Sequence, residues 1–103
     1  MAIVAVSIAP NGVNDTSLSK YVAKALEVIK REERVRYRLD PMFTTLEGDL
    51  NVILPLVGRM HEALADMGAP RISTVVKIDD RRDKDVHMND KVESVEQKLG
   101  KRD

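Results

Sequence analysis

The distribution of apolar and polar positions along the chain predicts four β-strands. The segment 2–9 is rich in β-branched and small residues, and the cluster Pro10-Asn11-Gly12 that follows it is typical of a strand end. Between residues 35 and 39, apolar residues alternate with charged ones at the two-residue period of a strand that is buried on one side. The same reasoning predicts strands over 43–47 and 71–78.

Apolar residues at helical spacing predict three helices. The first begins at a cap formed by Thr16 or Ser17 and ends near residues 31–33. The third is a short C-terminal helix with Asn89 as its cap, and its narrow apolar stripe must dock on another surface. The residues of that stripe are Met88, Val92, Val95 and Leu99.

The second helix is predicted between residues 48–49 and Gly68, with Pro70 beyond its end. Pro55 is the irregular residue of this segment, because a proline deep inside a helix removes one hydrogen bond and costs roughly 3 kcal/mol. We therefore expect the helix to start near Leu54, with proline at its first position, or to be kinked in its first turn.

The second and third strands are predicted to form a hairpin. The segment Asp40-Pro41-Met42-Phe43 is typical of a type I turn, because the Asp side chain can bond to the backbone and proline presets the next dihedral angle. If Asp40 faces Phe43, the alternations of both strands agree, and a slip of one residue would mix the two faces. The predicted cross-strand pairs are Leu39–Thr44, Arg38–Thr45, Tyr37–Leu46 and Arg36–Glu47.

The order strand, helix, strand, strand, helix, strand predicts an α+β fold of the ferredoxin-like βαββαβ type. Two helices then cover one face of a four-stranded antiparallel sheet, and the C-terminal helix is an addition. We expect a single domain over 1–103, with a core over 1–80 and a charged loop and helix over 81–103. The open sheet face would be partly apolar, which predicts a homo-oligomer. Its apolar half would carry Ile3, Ala5, Ser7 and Val75.

Composition narrows the possible classes of function. The 103 residues contain no cysteine, which excludes a disulfide-stapled module and a structural zinc ribbon. Seventeen basic and seventeen acidic side chains balance, and aromatic residues make up 3%, so neither charge nor base stacking favours nucleic-acid binding. No apolar run approaches the roughly 20 residues of a membrane span, and no signal peptide is recognisable, so we expect a cytoplasmic protein without a membrane partner.

No arrangement of catalytic residues is recognisable in the sequence. A phosphate-binding glycine loop and a nucleophile with its base are both missing, so we predict neither enzymatic activity nor a cofactor. His61 and His87 are far apart, and without cysteines they indicate structural or solvated histidines rather than a metal site. The charged run 79–85 is typical of a solvated loop, although Arg81 and Arg82 could form an anion site.

Glu47 is the most informative polar residue, because it ends the third strand on the face that also carries Thr45 and Ser7. In one interpretation it forms a cross-strand ion pair with Arg36, worth roughly 0.2–1 kcal/mol if exposed. In the other, its carboxylate and the neighbouring hydroxyl groups bind a small ligand with amine donors or a positive charge at the rim of an oligomer interface. Residue spacing leaves both interpretations open.

Several short motifs occur together in an order that resembles a known family. They are the segment 41–48, the pair His61-Glu62, Arg71, and the segments 77–81 and 91–95. With them the chain resembles, over nearly its whole length, the thiamine-binding protein family of small ferredoxin-like domains, also designated UPF0045 or the MTH1187 and YkoF-like group. The resemblance implies a ferredoxin-like fold with an added C-terminal helix, assembly into dimers and tetramers through sheet faces, and binding of thiamine or its hydroxymethylpyrimidine half in some members. Val13 and Phe43 depart from the family pattern.

The resemblance leads to the hypothesis of a non-catalytic protein that binds thiamine or hydroxymethylpyrimidine as a carrier or sensor. The alternatives are a structural or regulatory homo-oligomer without a metabolite ligand and, third, an enzyme with Glu47 as base. An aminopyrimidine needs hydrogen-bonding partners and a flat apolar wall. Strand parity places Tyr37 and Thr44 on the helix side, so we rank the open-face residues first. The expected ligand-binding residues are Ser7, Tyr37, Phe43, Thr44, Thr45 and Glu47.

Overall fold

The computed structural model describes residues 1–14 and 18–100. Their elements follow in the order βαββαβα, and the four strands form one antiparallel sheet in the order β2-β3-β1-β4. The α+β ferredoxin-like fold class predicted from the sequence is confirmed. The elements are β1 (Ala2–Asn11), α1 (Ser19–Lys30), β2 (Arg36–Leu39), β3 (Thr44–Gly48), α2 (Leu50–Asp66), β4 (Arg71–Asp80) and α3 (Met88–Leu99).

The register of the β2–β3 hairpin agrees with the prediction at all four cross-strand pairs, from Arg36 opposite Glu47 to Leu39 opposite Thr44. At the turn, the Asp40 N–H donates a 2.9 Å hydrogen bond to the Phe43 carbonyl. The predicted facing of these two residues is therefore confirmed. A register shift would have moved the buried Leu46 to the opposite face, which explains why the alternation predicts the pairing.

The core lies between the sheet and the two helices α1 and α2. Every second residue of β1 from Ala2 to Val6 is buried there, while the residues between them face the open side of the sheet. Helix α1 contributes an apolar stripe to the same layer, as does α2. The fully buried side chains of largest volume are Ile29, Leu46, Ile53, Leu56, Met60, Leu64 and Val4.

Two strands are longer than the sequence indicated. β1 continues to Asn11 instead of ending at residue 9, and β4 continues to Asp80 instead of 78, because the two strands pair with each other over ten positions. Pro10 is tolerated within β1 because β3 begins opposite Val6, so beyond that point β1 has β4 as its strand neighbour and no strand on the other side.

The prediction that the strand over 35–39 is buried on one side holds for Val35, which belongs to the core, and is wrong for β2 itself. All four residues of this edge strand are exposed, including Tyr37 and Leu39 on the helix side. The helices pack mainly on β1, β3 and β4 and leave Tyr37 and Leu39 largely uncovered. Its alternation predicted the strand and its register but not its burial.

The helix termini also differ from the predictions. α2 starts at Leu50, where the Asp49 side chain accepts a 2.8 Å hydrogen bond from the Asn51 N–H. Pro55 therefore lies inside the helix, and the predicted start near Leu54 is wrong. His87, not Asn89, caps α3, and its backbone N–H donates to the Asp90 side chain at 3.1 Å. The predicted cap of α1 at residues 16–17 lies outside the described residues.

Candidate functional site

A small cavity lies where the hairpin turn meets α1. β1 continues past the start of β3, and this leaves a notch beside Ser7 and Ile8 that α1 covers from one side. The cavity has a volume of about 90 Å³. We call this space the hairpin cavity; it is lined by Val6, Ser7, Ile8, Val22, Ala25, Leu26, Ile29, Leu39, Asp40, Pro41, Met42, Phe43, Thr44 and Met60.

The walls of the hairpin cavity are mostly apolar. Thr44 brings a hydroxyl group from the helix side of β3, and Phe43 is the one phenylalanine of the chain. Ser7 also borders the cavity, but it lies between the helix-side residues Val6 and Ile8, so its side chain faces the open side of the sheet. An apolar space with a small number of placed polar groups is the usual form of a small-molecule site. Three of the six residues that the sequence indicated are therefore brought together here.

Asp40 is the charged residue of this cavity, and sequence reasoning assigned it only to the turn. Its carboxylate accepts a hydrogen bond from the Thr45 hydroxyl at 2.9 Å and another from Arg38 Nε at 3.2 Å. Arg38 and Thr45 are paired across the hairpin on the open face, so the Asp40 carboxylate points to that face and away from the apolar interior of the cavity. The signal that could have identified Asp40 is its position at a hairpin turn beside Phe43, next to two hydroxyl-bearing residues.

The other expected site residues lie elsewhere. Tyr37 is exposed on the edge strand β2 and is not among the residues that line the hairpin cavity. Thr45 faces the open side of the sheet, where it lines a more open hollow of about 210 Å³. The other residues of this open-face hollow are Ile3, Ala5, Lys77, Asp79 and Lys91. The structure therefore separates the expected residues between two faces of the sheet.

Glu47 lies at the start of α3. Its side chain is 4% exposed, and both of its carboxylate oxygens have partners. Oε2 accepts a 2.8 Å hydrogen bond from the Met88 N–H, while Oε1 lies 3.0 Å from His87 Nδ1. A carboxylate that accepts a backbone N–H at a helix N-terminus is also favoured by the helix dipole. In this arrangement Glu47 anchors α3 to the sheet.

The environment of Glu47 favours its charged form. Burial alone would raise the pKa of this carboxyl, but the Met88 N–H and the His87 side chain outweigh burial, and Arg36 across the hairpin adds to their effect. The pKa of Glu47 therefore lies below its ordinary value. Of the two interpretations left open by the sequence, the ion pair with Arg36 contributes as a weaker electrostatic partner.

The remaining charged residues of interest form contacts within the protein. His61 Nε2 lies 2.6 Å from the Thr74 hydroxyl, which ties α2 to β4. Arg81 pairs with Asp83 and Arg82 with Asp80, all on the surface, as expected of a solvated loop. Among residues 1–14 and 18–100 there is no group of three or more His, Asp or Glu side chains placed to hold a metal ion. Nor is any helix in this part of the chain long and apolar enough to span a membrane.

Fold and cavity together define a small α+β domain of the ferredoxin-like class with an additional C-terminal helix. The chain belongs to the thiamine-binding protein family, whose model matches residues 4–96. A UPF0045 protein of Staphylococcus xylosus, encoded in the glkA 3′ region, is 43% identical over 102 residues, which cover 96% of this chain and 95% of that protein. The family expected from the sequence motifs is confirmed.

Solved structures show the same fold. The protein MJ1052 of Methanocaldococcus jannaschii is 37% identical and superposes with a TM-score of 0.81, covering 91% of this chain and 94% of that chain. A Thermotoga maritima protein proposed to act in thiamine biosynthesis or salvage superposes with a TM-score of 0.77 over 91% of this chain and 97% of that chain. Its identity of 24% supports the shared fold alone.

Proposed function

We propose that this protein is a cytoplasmic, non-catalytic carrier or sensor that binds thiamine or its hydroxymethylpyrimidine half. Membership of the thiamine-binding family supports the ligand class. The observation that carries the proposal to particular residues is the hairpin cavity, which combines apolar walls, Phe43 among them, with the Thr44 hydroxyl group. These groups match a flat ring with amine donors and nitrogen acceptors.

The size of the hairpin cavity favours one ring over two. On the same measure of volume, about 10–15 Å³ holds one water, so 90 Å³ accommodates a group of about six to nine heavy atoms. A substituted pyrimidine comes close to that size, and thiamine as a whole exceeds it. The proposal therefore places the pyrimidine inside the cavity and the thiazolium ring of thiamine outside its mouth.

Calorimetric titration with thiamine and with hydroxymethylpyrimidine tests the proposal. We expect saturable heat with both ligands. A ligand at about 100 times its dissociation constant also adds roughly 2.7 kcal/mol to the free energy of unfolding, enough to raise the melting temperature by several degrees. If a folded sample releases no heat with either ligand, this protein does not bind the proposed ligand class.

Single substitutions test whether the ligand binds in the hairpin cavity. Val22→Phe should fill the cavity from α1 and abolish binding, and Thr44→Val should weaken it by removing one hydroxyl group. Ser73→Ala is the matched control, because it removes a hydroxyl group from an exposed position of β4 outside the cavity. Saturable binding that survives Val22→Phe but is lost in Ala5→Leu, which fills the open-face hollow, would move the site to the other side of the sheet.

The alternative function, a structural or regulatory homo-oligomer without a metabolite, has its own supporting observation. Three apolar side chains of α3 are exposed, and Leu99 is the most exposed at 79%. Apolar surface of this kind is typical of an interface. We therefore propose self-association to a dimer or tetramer for this protein in either case. Light scattering measures the oligomeric state. A folded oligomer that releases no heat with either ligand would favour the structural or regulatory role over ligand binding.

A further inference from the structure

The hairpin cavity reaches an unpaired stretch of the β1 backbone. β3 begins opposite Val6, and the described residues place no strand on that side of β1 from Ser7 onward. The residue that would stand opposite Ile8 if β3 continued is Met42, but it lies in the hairpin turn and is 81% exposed. Ser7 borders the cavity although its side chain faces the open side of the sheet, which places the cavity against the main chain of residues 7 and 8.

The hydrogen bonding of the hairpin shows which backbone groups face this unpaired side. In an antiparallel sheet the N–H and C=O of one residue point to the same side, and those of the next residue point to the other. The Phe43 carbonyl accepts from the Asp40 N–H across the hairpin, so the backbone groups of Thr44 point to β1. Those of its partner Val6 therefore point to β3, and those of Ile8, two residues on, point to the same side.

Pro10 leads to the same result independently. Proline has no N–H, and within a sheet it is found where its nitrogen points away from the neighbouring strand. Pro10 stands opposite Ile72 of β4, so its nitrogen points to the unpaired side, as do the backbone groups of Ile8 two residues before it. Ile8 thus presents one N–H donor and one C=O acceptor side by side. Among residues 1–14 and 18–100, no turn, loop or side-chain group takes either of them.

These two backbone groups supply the polarity that the side chains bring only sparsely to the cavity. The Asp40 and Ser7 side chains face the open side of the sheet, which leaves the Thr44 hydroxyl group on the helix side. An unpaired backbone donor or acceptor beside apolar walls costs free energy until it finds a partner. A ligand that pairs with both groups of Ile8 removes this cost, so the edge selects ligands by their hydrogen-bonding pattern.

The pattern that fits the Ile8 edge is an amine next to a ring nitrogen. The ring nitrogen accepts from the N–H and the amine donates to the C=O, so the ligand takes the place of the missing strand. The cavity volume of about 90 Å³ suits a single ring rather than a length of added peptide. The aminopyrimidine ring that hydroxymethylpyrimidine and thiamine share carries this pattern.

We propose that the free backbone edge of β1 at Ile8 recognises aminopyrimidines in the hairpin cavity, with its N–H donating to a ring nitrogen and its C=O accepting from the amine. The inference rests on the proposed function and specifies the protein atoms that select the ligand. Ile8 determines specificity through its main chain, while its side chain packs against the core.

Amide exchange measured residue by residue by NMR tests this edge on the unmodified chain. Without ligand, the Ile8 amide should exchange faster than that of Val6, which has its partner in β3. Saturating hydroxymethylpyrimidine should slow exchange at Ile8 by about tenfold or more. The change should be smaller at Ala9, whose N–H points to β4. Slowed exchange at other amides with Ile8 unchanged would overturn the inference.

Two affinity measurements test the hydrogen bonds themselves. An analogue of hydroxymethylpyrimidine with a methyl group in place of the amine keeps its shape but cannot donate to the Ile8 carbonyl, so it should bind about tenfold more weakly or worse. Ile8→Pro removes the N–H on the side of β1 where Pro10 is already tolerated, and it should lower affinity by a similar factor. Ile8→Val keeps the N–H and is the matched control, with affinity expected to stay within about threefold.

The outcomes separate this inference from the proposed function. Saturable binding with unchanged exchange at Ile8, or equal affinity for the amine and methyl ligands, would overturn recognition by the edge and leave ligand binding intact. A folded sample that binds neither thiamine nor hydroxymethylpyrimidine would overturn both. Circular dichroism verifies that Ile8→Pro is folded. If it is not, the exchange and analogue measurements on the unmodified chain decide.

Discussion

At the scale of single residues, Glu47 shows how the environment decides what a carboxylate does. The sequence places it at the end of a strand beside hydroxyl-bearing residues, which suits either an ion pair or a ligand site. The fold brings residues 87 and 88 onto it from forty positions away and gives both oxygens a partner. Sequence patterns carry no information on such a distant contact, because it depends on how the loop after β4 returns to the sheet.

Replacing Glu47 tests the anchor. Glu47→Ala leaves the Met88 N–H without its partner, so we expect a loss of about 1–3 kcal/mol in the free energy of unfolding and faster amide exchange in α3 than in α2. Glu47→Gln, which keeps one acceptor oxygen, should lose less. Ligand binding should survive both changes, and its loss with unchanged exchange in α3 would show instead that Glu47 is a ligand residue.

Acid should release the same anchor. Because the pKa of Glu47 is lower in the folded protein than its ordinary value of 4.5, its ionisation stabilises the fold above that pH, and the stabilisation is lost as the pH falls toward the lowered pKa. We expect amide protection in α3 to fall below about pH 4.5 before that of α2. Glu47→Gln cannot titrate at this position, so in that variant the amide protection of α3 should not fall at the same pH. If the variant and the unmodified chain lose protection identically, a group other than Glu47 causes the loss.

At the scale of elements, local patterns predicted type and register better than boundaries. The alternation in β2 and β3 determines their pairing, because a side chain on the wrong face would leave the core. Of the two alternatives for α2, the start near Leu54 is wrong, because the Asp49 cap and the packing of Ile53 and Leu56 maintain the helix on both sides of Pro55. Tertiary burial outweighed the local cost of proline.

Removing this proline should stabilise the protein. In Pro55→Ala the residue gains an N–H that can donate to the Asn51 carbonyl, and part of the gain is offset by the more flexible unfolded chain. We expect the free energy of unfolding, measured by urea denaturation, to increase by about 1–2 kcal/mol. Gly58→Ala on the same helix is the control, because it changes helix propensity without removing a proline. No atom lies within 4 Å of the added Cβ, so this variant should gain about 0.5–1 kcal/mol in the free energy of unfolding. A neutral Pro55→Ala would mean that the helix is already relaxed around this residue.

At the scale of the whole molecule, the chain covers one sheet face and leaves apolar surface at β4, at α3 and on the open face. A 103-residue domain buries a modest fraction of its surface, so association is an effective way to cover the remainder. This incomplete covering explains why β2 and the C-terminal stripe, both apolar in pattern, are exposed in a single copy.

Self-association should make stability depend on concentration. A partner that binds the folded state and not the unfolded one raises the melting temperature by mass action, so we expect the melting temperature to rise over a hundredfold increase in protein concentration. A melting temperature that stays constant for the unmodified chain would indicate a folded monomer.

Local periodicity and short motifs act over a few residues, and from them the strands and helices, the hairpin register and the family could be predicted. Three features required the packing of the whole domain: Ser7, Phe43, Thr44 and Asp40 border one cavity, Glu47 holds α3, and β2 stays exposed. These features depend on where strands end beside one another and on which helix covers which strand. Such contacts join residues tens of positions apart, and their geometry is settled by packing of the whole domain rather than by local pattern.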